Sequence, residues 1–92
     1  MDRPKNNSPA VPNHSWRLLD GIDFIEAQFS LADFCLNRFP EKPQLARSIQ
    51  NAESVPDIRH ALQPIINLIY VERDDLANEF ALLIHQINQT TN

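Results

Sequence analysis

Ile65-Ile66-Asn67-Leu68-Ile69-Tyr70-Val71 decides the fold. By composition the run favours a strand, because β-branched and aromatic side chains suit a pleated surface. The chain offers it no partner strand and no hairpin turn. The run also completes a helical repeat. Ile58, Leu62, Ile65 and Ile69 recur at steps of four, three and four, which lays them along one side of a helix. Read as helix, the run joins two further groups of the same spacing: Leu18, Ile22, Ile25 and Phe29, and then Leu76, Phe80, Leu83 and Ile87. Gly21 is the one glycine near these groups. The sequence therefore reads as all-α, a compact bundle of four to five short helices behind a disordered N-terminal tail.

A chain of 92 residues is one small domain. A domain of this size buries roughly 60–65% of the surface that its unfolded chain exposes, enough for a core without disulfides or metal. The 42% hydrophobic share matches folded proteins and excludes wholesale disorder. A formal charge of −4 and a pI near 5.1 exclude a general nucleic-acid binder, since phosphate affinity needs clustered Lys and Arg. The imbalance is too mild to name a basic partner. Cys35 is the single cysteine, which excludes an internal disulfide and fits a reducing compartment. No run reaches the roughly 18 apolar residues that a membrane helix needs. Met1-Asp2-Arg3-Pro4-Lys5-Asn6-Asn7 has no apolar stretch behind its charges, so it is no secretory signal. A soluble cytoplasmic protein is the expectation.

Pro4, Pro9 and Pro12 lie among Asn, Ser and Lys. Such a stretch buries too little to offset its ordering entropy. Residues 1–14 read as a flexible tail or linker, and 15–89 as a single helical domain. Ser15 can cap a helix that begins at Trp16. From there the apolar steps run on past Phe29 to Ala32, Leu36 and Phe39, a heptad-like seam. Ser30-Leu31-Ala32-Asp33, however, resembles a fresh cap. An unbroken helix over 16–39 would be about 36 Å long, against about 30 Å for a domain of this size. It would also leave Phe24, Leu31, Phe34 and Cys35 on the back, away from the seam. A break or sharp kink near Ser30 is expected. A single straight helix would instead suit a coiled-coil dimer built on residues 16–39.

Phe39-Pro40 should end this region. Pro43 suits the first turn of the next helix, with Leu45, Ala46, Ile49 and Ala52 inward. Ser54-Val55-Pro56-Asp57 starts another, with Ser54 or Val55 at the cap. Pro64 should kink it or restart it. Glu72-Arg73-Asp74-Asp75 interrupts the pattern, and Asp74 or Asp75 can cap a last helix through about Asn88. Within that helix Phe80-Ala81-Leu82-Leu83-Ile84 is apolar on every side, which places it centrally or beneath a partner. Gln89-Thr90-Thr91-Asn92 should fray.

Chemistry-bearing constellations do not emerge. His14, His60 and His85 have no second ligand at metal spacing. Cys35, between Phe34 and Leu36, reads as a small buried hydrophobe. Asp74 with Asp75, and Asp23 with Glu26, are explained by capping and solvation rather than acid–base work. The reading is non-enzymatic: no catalytic, cofactor-binding or metal-ligating residues, no cofactor, and no small-molecule substrate. Residues 43–62 allow a small helix-turn-helix-like DNA-binding regulator on spacing, with Asp57, Arg59, His60 and Gln63 outward. Arg47, Arg59 and Arg73 are too scattered to position phosphates well. Trp16 and Tyr70 read as core, and Phe24 as the best surface aromatic. The candidate interaction surface is Phe24, Leu31, Phe34, Leu82 and Ile84.

Phe29-Ser30-Leu31 with Phe34-Cys35-Leu36, then Ala46-Arg47-Ser48-Ile49, then Val55-Pro56-Asp57-Ile58 and Leu62 together resemble the bacterial effector-associated, death-like domains. That family comprises small helical modules fused to proteases and signalling ATPases in bacterial conflict systems. The resemblance covers residues 29–62. It implies that these segments are successive helices and that the role is homotypic binding, with no catalytic residue to carry over. The expected function is a protein–protein interaction module, an adaptor or a homo-oligomer, acting through apolar helix faces.

Overall fold

A computed structural model describes residues 17–91. The expected tail over 1–14, the Ser15 cap, Trp16 and Asn92 lie outside the described residues. Within them are four α-helices and one 3-10 turn, with no strand. The chain is all-α, as the periodicity predicts, and 65–71 is helical.

The first helix, α1, spans Phe24–Arg38. Its cap is Asp23, whose carboxylate accepts from the Glu26 backbone N–H at 3.0 Å. The expected start at Trp16 and the expected break near Ser30 are both corrected. Residues 17–23 are not helical, because other bonds claim their backbone. Asn88 accepts from the Leu19 N–H and donates to the Arg17 carbonyl, both at 2.9 Å. Thr90 Oγ1 accepts from the Asp23 N–H at 2.9 Å. Thr90, expected to fray, is thus part of a clamp. Ser30 does not cap; its hydroxyl donates to the Glu26 carboxylate one turn back at 2.9 Å. Shortened at its start, α1 is about 22 Å long and needs no break to fit. The long helix that the coiled-coil alternative over 16–39 required does not form, since 17–23 are not helical.

Two prolines and a serine start the next elements as expected. Helix α2, Pro43–Gln50, has Pro43 in its first turn. Its end is closed from outside: the Gln28 Nε2 amide of α1 shares its two hydrogens among the Ile49 and Gln50 carbonyls of α2 and the Ala52 carbonyl just beyond, at 3.1, 3.1 and 3.0 Å. Helix α3, Val55–Val71, is capped by Ser54, whose hydroxyl accepts from the Asp57 N–H. It runs through Pro64 without restarting.

A 3-10 turn, Asp74–Leu76, leads into α4, Ala77–Asn88. Neither Asp74 nor Asp75 caps α4; Leu76 holds that position without a side-chain bond. The Asp75 carboxylate faces Arg73 instead, at 3.1 and 3.2 Å. Hydrogen bonding from Arg73 holds the Asp75 carboxyl below its usual range.

One core joins all the elements, from Leu18 and Ile22 through Leu31, Ile49, Ile58, Leu62, Ile65 and Ile69 to Phe80, Ile84 and Ile87. Phe34 meets Phe39 edge-on at 6.1 Å and Phe80 at 5.5 Å between ring centres. Arg73 lies over the outer side of the Phe39 ring, 5.8 Å from its centre. No polar or charged side chain among the described residues is buried. The interior is therefore purely apolar, and the charged groups lie at or near the surface.

Candidate interaction surface

Helix α1 has two apolar sides, and the core takes the one the seam does not occupy. Ala27, Leu31, Phe34 and Cys35 are buried, at the i, i+4, i+7, i+8 spacing of one helix face. Ile25, Phe29 and Leu36 face outward and are 69%, 77% and 49% exposed. They share a strip about 60° wide along the helix. Ala32 lies in the same strip and is buried. The seam thus divides: Leu18, Ile22 and Phe39 at its ends enter the core with Ala32, while Ile25, Phe29 and Leu36 stay in water.

The borders of the strip differ. On one edge Gln28 is half-buried and committed to the end of α2. Along the other run the exposed acids Glu26 and Asp33, each one position beyond a seam residue. Each is held along the helix by its neighbour one turn on: Glu26 by Ser30, and Asp33 by the Asn37 amide at 3.2 Å. Arg38, the one basic residue of α1, is bound to Glu79 of α4 at 2.8 Å.

The five surface residues expected from sequence separate. Leu31, Phe34 and Ile84 are buried core residues, so a partner that leaves the fold intact does not reach them. Phe24 is half-buried against the core. Leu82 is 57% exposed, on a groove of about 570 Å³ between α1 and α4 that Ser30, Asp33, Asn37 and Gln86 also line. Tyr70, expected in the core, is 48% exposed near the end of α3. Sequence reasoning missed Ile25, Phe29 and Leu36 as surface. Their spacing is visible in the sequence, which by itself does not tell which of the two apolar sides of α1 turns inward.

The remaining candidates are ordinary in their surroundings. His60 and His85 are exposed, and His14 lies outside the described residues. No group of three or more His, Cys, Asp or Glu among the described residues could hold a metal ion. Cys35 is buried, and burial pushes its thiol up to about 12, far from the range of a nucleophile. Arg59, placed outward in the helix-turn-helix reading, turns its guanidinium onto the Leu18 carbonyl and the Asp20 carboxylate. It also lines a concavity of about 410 Å³ along α3 with Arg17, Gln63 and Tyr70. No helix among the described residues is long and apolar enough to cross a membrane.

In comparisons with known proteins, no family model, no curated protein and no solved structure matches this chain.

Proposed function

We propose that this chain is a non-catalytic protein-interaction module whose docking element is the outer strip of α1. The observation that carries the reading is Phe29, a large aromatic residue 77% exposed with Ile25 and Leu36 along the same line. An aromatic anchor between aliphatic neighbours is a usual composition for the centre of an interface. The resemblance of residues 29–62 to effector-associated domains supports the same class of function. A cytoplasmic setting suits the lone, reduced Cys35.

The energetics limit what the strip does alone. Burying a large apolar side chain fully is worth about 1.5–3 kcal/mol. Three partly exposed ones supply a gross gain comparable to the lower estimates of what association costs, about 4 kcal/mol or more. A lasting complex therefore engages the flanks of α1 as well.

A photo-crosslinking residue at position 29 tests the reading against the same residue at exposed Asp74. In extract of the native cell, position 29 should yield a discrete adduct and position 74 none. The absence of any adduct specific to position 29 overturns the proposal.

A further inference from the structure

On the reading of α1 as the docking element, we propose that its partner is a basic amphipathic helix, with an apolar seam about four turns long flanked by Lys or Arg. The strip has the width of a two-helix seam. Ile25, Phe29 and Leu36 stand exposed, with Ala32, small and buried, at the remaining seam position between Phe29 and Leu36; together they follow one another at four, three and four, the alternation by which one helix packs along another. A flat protein surface would need a wider apolar face than a 60° strip. In length, α1 with its 15 residues fits a helix of the same reach.

Charge then selects the partner. Glu26 and Asp33 each follow a seam residue directly, which places both at the same flanking position of the repeat, seven residues apart. In paired helices that position faces the flank of the neighbour and decides which helix is accepted. On α1 itself the opposite edge carries no charge: Gln28 there is a neutral amide, and it is committed to the end of α2. The one basic residue of α1 is neutralised by Glu79. A second copy of this chain is a poor fit. In an antiparallel symmetric pair the acidic row of one α1 would lie beside the acidic row of the other, and like charges there repel. A helix bearing Lys or Arg at those positions meets both acids with opposite charge.

The test uses the full chain and two synthetic helices about as long as α1. Both carry leucines along the seam; one has lysines at the flanks and its twin has glutamates. By fluorescence anisotropy at low salt, the lysine helix should bind about tenfold more tightly than its twin, and the gap should narrow as salt rises. Phe29→Ser should remove binding of the lysine helix. The pair Glu26→Gln with Asp33→Asn should bring the twins together. Equal binding of the twins to the unaltered chain overturns the basic partner and leaves the docking role of α1 standing. Lysine-helix binding that survives Phe29→Ser shows general adhesion to an acidic chain and overturns the basic partner at this site. No binding of the lysine helix overturns it as well. A dimer seen by light scattering, and dissolved by Phe29→Ser, assigns the strip to a second copy and also overturns it.

Discussion

Single residues on α1 separate folding from display. Leu31 and Phe29 lie two positions apart on one helix, yet one is buried in the core and the other stands in water. Leu31→Ala should lower stability by about 2–5 kcal/mol, through lost burial and the cavity left behind. Phe29→Ser should change it by no more than about 0.5 kcal/mol, since surface changes away from special contacts are nearly neutral. Urea unfolding of the two variants checks the contrast; a large loss for Phe29→Ser would mean that the strip is packed. Cys35 gives a second residue-scale prediction. Burial raises its thiol to about 12, so between about pH 8.5 and 12 the folded protein keeps a proton that an unfolded chain, with a value near 8.5, gives up. Because the folded state binds the extra proton, Cys35 favours folding below the unfolded value only relative to higher pH. That contribution falls as pH rises from about 8.5 toward 12. A thiol reagent at pH 8 should label the native protein no faster than it unfolds, and labelling at the rate of a free thiol would contradict the burial.

At the scale of elements, the starts of α2 and α3 are legible in the sequence, and the starts of α1 and α4 and the phase of α1 are not. Pro43 and Ser54 act within their own first turns, and such local chemistry can be read from neighbouring residues. Periodicity shows which residues share a side of a helix, but α1 carries two apolar sides. Which one turns inward is decided by α2, α4 and the irregular segment at 17–23, none of them local to the repeat. The same remoteness hid the surface strip and misplaced Leu31, Phe34 and Ile84. The Asp74 and Asp75 caps failed for a related reason, because Arg73 and the tight 3-10 turn claimed that stretch first. Pro64 poses the remaining element-scale question. It lies exposed inside α3, where it can donate no backbone hydrogen bond. Pro64→Ala should raise stability by about 1–3 kcal/mol. Thermal unfolding checks the gain, and no change would mean that α3 already bends to suit its proline.

For the whole molecule, the side-chain bonds of longest sequence separation join the segment at 17–23 to the end of α4 and the residues after it. Asn88 reaches Leu19 and Arg17, 69 and 71 positions away, and Thr90 reaches Asp23, 67 positions away. No reading of adjacent residues finds such pairs, so a helix was expected where the chain is held irregular. Asn88→Ala removes both of its bonds and should destabilise by about 1–2 kcal/mol. Faster hydrogen exchange at the Leu19 amide would locate the loss, and an unchanged amide would show that the clamp is not holding that segment. This meeting of remote positions brings the two ends of the described residues side by side. Arg17 and Asn88 touch, so a short peptide joining residue 91 to residue 17 would close a circle. The circle can then be opened elsewhere, at the exposed Pro40–Glu41 turn. The circularly permuted protein should melt cooperatively around the same core.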